Sequence, residues 1–274
     1  MSHATESPVA DPSDSAGERG DHQRSSRPRD RRRRGPGLAF GALVAALAIS
    51  LIPIWARFYA FNPHIGRLSP AEHPWYFPTL MVHVAACTLA ILTGVLQVWP
   101  GLRVRYPRLH VRSGRIYVFA GILPAAGSVL VISAYWPYSP FTVSSDILSS
   151  LLWLAFTGYG LVLARQGRID DHRRWMLRSF ALTASNVLNQ FLGIPLGWIF
   201  KPQLNTTFGG NEELLMQVWT GVDVWLGWVL ALLAVEWYLE REQLRRSARR
   251  RAAMKRRERR PTDPAEMSAA NRLR

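Results

Sequence analysis

"RIDDHRRWMLRSF", residues 168 to 180, sets seven charged or titratable side chains ahead of twenty residues that carry no charge at all. A second stretch, "RYPRLHVRSGRIYV" from Arg105 to Val118, repeats the form, with a histidine among arginines just before an apolar run. Working outward from these two places, the chain divides sharply. Residues 1–37 and 241–274 are polar and arginine-rich, while most of the eleven tryptophans lie in the apolar middle.

An apolar run of ~20 residues is what a helix needs to cross ~30 Å of hydrocarbon. Six such runs are present: Leu38–Ala60, Phe77–Trp99, Gly114–Trp136, Ser145–Arg165, Trp175–Phe200 and Leu214–Leu239. The first follows 37 polar residues and reads as a retained anchor rather than a cleaved leader. The expected fold is all-α, a polytopic bundle of six transmembrane helices with the second to fifth forming its core. Residues 1–37 are expected to be a disordered basic tail, 38–240 the membrane domain, and 241–274 a second basic tail. Asp171 is placed to cap the fifth helix, and Asn211 with Glu212 and Glu213 suits the positive end of the sixth.

Charge orients the bundle. Lys and Arg number eight in the N-terminal tail, five in Arg103–Arg115, five in Arg165–Arg178 and thirteen after residue 240. Only Arg57, Arg67 and Lys201 fall at or near the other face. Basic residues stay on the cytoplasmic side during insertion, so both termini are expected inside, in the cytoplasmic membrane. The net charge of +15 comes from 34 Lys and Arg against 19 Asp and Glu, and the basic residues are gathered on one side. Nucleic-acid binding is not expected, because "RRSARRRAAMKRRERR" lacks aromatic interleaving for base stacking. The expected partners are the lipid bilayer and, at the basic tails, anionic lipids. A single cysteine, Cys87, excludes an internal disulfide and a CxxC zinc motif. GxSxG, Walker and HExxH motifs are also absent.

Within lipid, polar side chains turn toward protein, so their spacing marks the inward faces. The stripes are His83, Cys87, Ala90, Gly94 and Gln97; then His110, Gly114, Tyr117, Gly121, Ala125 and Ser128. Next come Asp146, Ser150, Trp153, Thr157 and Gly160, followed by His172, Ser179, Thr183, Asn186 and Gln190. The first run shows no stripe and reads as peripheral. Helix packing accounts for the small residues and hydroxyls. Large polar groups at membrane depth demand partners. His83 and Asp223 fall at similar depths of ~9 and ~12 Å from the outer ends of their helices, where they are able to pair.

Three functions remain open at this stage. One is a binding or transport bundle for a proton or small molecule, in which His83, Asp223, Gln97, Asn186 and Gln190 face a cavity. There Arg115, Arg174 and Arg178 would hold an anionic group. A second is a redox protein holding b-type haem or quinone through His110 and His172. The third is a structural membrane protein with no chemistry.

The order of residues resembles DUF2306, a family of predicted bacterial membrane proteins named as a domain of unknown function. The likeness rests on His83, "LTGVLQ" with Gly94 and Gln97, "YPRLHVRSGRIYV", "DHRRWMLRSFALT", and "WVLALLAVEW" with Trp228 and Glu236. It covers about residues 75–240. The resemblance implies a membrane bundle with these groups turned inward, and it supplies no activity. The chain departs from the family in having "HVRS" where an "HRW" form is expected. It also lacks an arginine near Gln190 and an asparagine near Ala231.

Overall fold

A computed structural model describes residues 73–136 and 138–258, with isolated residues between 41 and 52. Among the described residues the chain is helical and has no strand. Helix α1 runs Tyr76–Val98, α2 is the short Pro100–Arg105, and α3 spans Pro107–Tyr135. Helix α4 is Pro140–Arg165, α5 is Ile169–Phe200, and α6 is Glu212–Glu258. Four of these, α1, α3, α4 and α6, are long and apolar enough to cross a membrane. Helix α5 is long but carries Asn186, Asn189 and Gln190 mid-length, a polar load that fits a helix surrounded by others. The expected run Leu38–Ala60 lies largely outside the described residues.

Three helices start five or more residues before their apolar runs, for local reasons. Pro107 opens α3 seven residues before Gly114, because proline suits a first helical turn. At α4, Ser139 and Thr142 cap each other reciprocally, and Pro140 follows. The start of α5 is fixed by the stop of α4. Gly167, at φ 74°, takes the left-handed turn, while Gly167 and Arg168 donate to the carbonyls of Ala164 and Leu163. Helix α5 then begins at Ile169, so Asp171 is not its cap. With Asp170 it lies in the first turn, where carboxylates complement the helix dipole, and it pairs with Arg168 at 2.7 Å. Asn211 caps α6 as expected, its Oδ1 accepting from Leu214 N at 2.9 Å.

Helix α3 widens into a π turn at Tyr117–Ile122, where Leu123 N reaches back to Val118 O. The next residue is Pro124, which has no N–H and crowds the carbonyl four positions earlier. The wide turn relieves both problems and keeps α3 continuous.

The α1, α3, α4 and α5 helices enclose the core. Ala86, Cys87 and Ala90 of α1 meet Tyr117, Ile122 and Ala125 of α3, Trp153 of α4 and Leu182 of α5. Helix α6 packs along α5 and α4. Leu47 of the first apolar run is 2% exposed against Ile91, Phe180 and Val187, so at that residue the run does have an inward face.

Glycines set how closely the helices approach. A Cβ at Gly121 would lie 2.9 Å from Ala90 Cβ and 3.0 Å from its Cα, with no flexible side chain to yield. At Gly158 nothing stands within 4 Å. Gly121→Ala is therefore expected to cost about 1–3 kcal/mol by overpacking, while Gly158→Ala is neutral or stabilising. Melting of the two variants in the same detergent checks this, and equal melting temperatures would contradict it.

Candidate functional site

The polar groups of the bundle form three sets along its length. The first sits at the end carrying the arginine-rich connections, and residues 168–178 build it. Arg173 donates to both oxygens of Glu242 at 3.0 and 2.8 Å, and Arg246 of α6 meets the same carboxylate at 2.9 Å. Arg174 donates to Gln243 Oε1 at 2.9 Å. Arg178 clasps Glu236 with its Nε and with a second bond of 2.9 Å, and its guanidinium lies 4.7 Å over the Trp175 ring. Burial opposes the Arg173 cation. The hydrogen bonds and charge of Glu242, aided by Tyr238, outweigh that and hold its pKa above the ordinary arginine value.

These contacts explain why α6 continues as a helix to Glu258 when its apolar run stops at Leu239. The extension is rich in good helix formers and is fastened to the start of α5 by ion pairs. They also revise the expected anion-holding rim. Arg178 and Arg174 are engaged by α6, leaving Arg115 exposed on α3 with Arg108 and Arg112, and Arg103 and Arg105 exposed on α2.

His110 and His172 do not precede their helices. Each is the fourth residue of its own, in α3 and α5. His172 donates from Nδ1 to Gly160 O across 2.7 Å, tying α5 to α4. At His110 the carbonyl is held by Gln97 Nε2 at 2.9 Å, and the same amide reaches Ser113 Oγ at 2.6 Å. The His110 Nδ1 atom is buried without a partner. Gln97 thus ties α1 to α3 beside Gly114. Among the described residues no group of three or more His, Cys, Asp or Glu is placed to hold a metal.

The second set is a chain of hydroxyls at the centre. Tyr117 OH lies 2.8 Å from Thr183 Oγ1 and 3.0 Å from Ser179 Oγ, and Ser179 Oγ is 2.7 Å from Thr157 Oγ1. All four residues are at most 2% exposed. They join α3, α4 and α5 in a region that excludes water. Sequence spacing placed each on an inward face but gave no sign that they meet.

The third set lies toward the far end. His83 Nδ1 is 3.1 Å from Ala125 O, and Nε2 is 3.5 Å from Cys87 Sγ. Asn186 Nδ2 approaches the same sulfur at 3.9 Å. The Asp146 charge bears on His83. His83 and Asp223 do not form the expected couple, because His83 is taken by α1 and α3 neighbours while Asp223 faces α5. There Asn189, with its amide oriented to satisfy the network, donates to Ser185 O at 3.2 Å and Asp223 O at 3.3 Å. A Cβ at Gly227 would fall on that amide. Asp223 Oδ1 is buried and has no partner. Gln190 is exposed, away from the inward line that Ser179, Thr183 and Asn186 hold.

Asn189 was absent from the spacing pattern, and its signal is contextual, a large amide opposite a glycine on the next helix. Cys87 was on the pattern as a small residue. Its position four after His83 is what sets the two side chains together.

The hydroxyl chain is directly testable. Tyr117→Phe keeps the ring and leaves Ser179 and Thr183 short of a partner, with an expected loss of about 1–2 kcal/mol. Thermal or denaturant unfolding in detergent measures it, and an unchanged stability would show that the three helices do not depend on this contact.

The family model described as "Predicted membrane protein (DUF2306)" matches residues 80–238 of the chain. No curated protein and no solved structure matches it.

Proposed function

The chain belongs to the DUF2306 family of predicted membrane proteins, and on that premise we propose that it is a six-span protein of the cytoplasmic membrane whose bundle binds a proton or a small polar ligand. Both termini lie in the cytoplasm. The exposed arginines from Arg103 to Arg115 then face the inner headgroups, where each contributes about 1 kcal/mol of attraction to anionic lipid.

One observation carries the binding reading, the buried and unpartnered Oδ1 of Asp223. A carboxylate oxygen in an apolar layer costs several kcal/mol unless something satisfies it. Its surroundings offer carbonyls and the Asn189 amide, none of which donates to that oxygen. A proton, or a ligand with a donor or positive charge, fills the need. The ladder between α5 and α6 supports the reading by holding the two helices that flank Asp223 in register.

Two experiments test it. Fluorescent-protein fusions at Arg274 and after Arg165 are expected to glow, and alkaline phosphatase fused at Asn205 to be active; the reverse pattern would overturn the orientation. Asp223→Asn keeps the shape and supplies a donor. It is expected to stabilise the detergent-purified protein by about 1–3 kcal/mol and to remove the part of the pH dependence of melting that this carboxyl contributes. Melting curves identical to the parent protein at every pH would refute a role for Asp223.

A further inference from the structure

We propose that the cleft between the start of α5 and the charged extension of α6 binds the phosphodiester headgroup of an anionic phospholipid. The site rests on the membrane fold of the family and does not require the reading of Asp223.

The cleft follows from helix geometry. Leu239, Glu242, Gln243, Arg246, Ser247 and Arg250 recur at helical spacing, so one face of α6 turns toward the first turns of α5. Between them lies a cavity of about 270 Å³. That is near the lower end of ligand pockets, and it suits a headgroup rather than a whole lipid. Leu239, 3% exposed, stands at its inner end, and every other wall residue is charged or polar.

Charge within the cleft is unevenly matched. Glu242 is shared by Arg173 and Arg246, at 2.8 and 2.9 Å. Asp170 lies 3.6 Å from Arg246, and Asp171 is taken by Arg168. Among the described residues no carboxylate pairs with Arg174 or Arg250. Arg174 is held by the neutral Gln243 amide at 2.9 Å, which orients its guanidinium and leaves its charge uncompensated. Arg250 lies one turn beyond Arg246, on the same face as Ser247. Two guanidiniums and a hydroxyl thus offer donors and positive charge to one space. A phosphodiester is their complement, because the planar guanidinium fork matches its paired oxygens.

Depth identifies the carrier of the phosphate. Trp237 and Tyr238, 59% and 47% exposed, are amphipathic rings of the kind that sit at a membrane interface. Glu242 stands one helical turn beyond Tyr238, ~6 Å along the axis, and a headgroup layer is about that thick. A lipid of the adjoining leaflet therefore brings its phosphate to this level without leaving the bilayer. Once bound, it adds a further tie between α5 and α6.

The test uses the full chain, delipidated in mild detergent at low salt and titrated with phosphatidylglycerol or with phosphatidylcholine, whose choline cation cancels its charge. Native mass spectrometry and melting temperature read the binding. Phosphatidylglycerol is expected to stay bound and to raise the melting temperature, and phosphatidylcholine to do neither. The double variant Arg174→Gln, Arg250→Gln should weaken binding at least about tenfold. Arg250 is exposed, so Arg250→Gln alone should weaken binding without disturbing the fold. Changing Arg108 and Arg112 to Gln removes the same charge from the exposed patch on α3 and should leave binding unchanged. Asp223→Asn should also leave it unchanged, which separates this site from the one proposed above. Undiminished binding in the Arg174 and Arg250 variant would overturn the proposal. So would equal weakening by the Arg108 and Arg112 changes, the mark of diffuse attraction. Inorganic phosphate or glycerol phosphate stabilising the protein as much as the lipid does would overturn the lipid assignment.

Discussion

A hydroxyl inside a hydrocarbon layer has no water to bind, so its partner must be another part of the protein. The arrangement of α3, α4 and α5 follows from that constraint. Tyr117, Thr157, Ser179 and Thr183 are all but inaccessible, and each satisfies another. Dispersion between apolar faces holds helices together but tolerates sliding. Hydrogen bonds at 2.7–3.0 Å do not, since a shift of one residue would break all three contacts between the helices and leave the Tyr117 hydroxyl without them. The apolar core of Ala90, Ile122 and Ala125 then closes around a register that the hydroxyls have chosen.

At the basic end, charge does the corresponding work under different physics. The pairs between α5 and α6 are partly solvated, so each contributes modestly and is weakened by salt. Their value is in number and placement. They run along one face of α6 from Glu236 to Arg246, past the point where its apolar surface ends. One 13-residue stretch therefore serves two purposes. Its arginines suit retention in the cytoplasm, and two of them, Arg173 and Arg178, are bound by carboxylates of the last helix, with Arg174 on its Gln243 amide. The aromatic body of Trp175 packs on Phe156 and Tyr159 and stacks under Arg178, which joins the polar ladder to the apolar core.

Toward the other end the bundle is less fully satisfied. Asp223 Oδ1 has no partner, and His83 spends its second nitrogen on a cysteine sulfur, a weak partner. Elsewhere on α1 and α5, Gln97, His172 and Asn189 are each bonded to a carbonyl, Gln97 also to a hydroxyl. Asp223 lies five residues before the motif that opens at Trp228, whereas His83 is itself one of the residues that carry the family likeness.

Much of this was legible in the residues alone. The apolar run length gave helices, since a backbone in lipid must satisfy itself, and the spacing of Ser150, Trp153, Thr157 and Gly160 marked the inward face of α4. The family likeness was carried by short motifs that the matched region contains. Helix starts were not legible from hydropathy, because Pro107, the Ser139–Thr142 cap and Gly167 act locally and independently of it. Partners were not legible either. Depth alone allowed His83 to meet Asp223, yet His83 turned to Cys87 and Ala125 and left Asp223 to α5. A one-dimensional period fixes which side of a helix faces protein. Which neighbour it faces, and at what rotation, depends on the joint packing of several helices, decided here by glycine contacts and hydrogen-bond closure across distant segments.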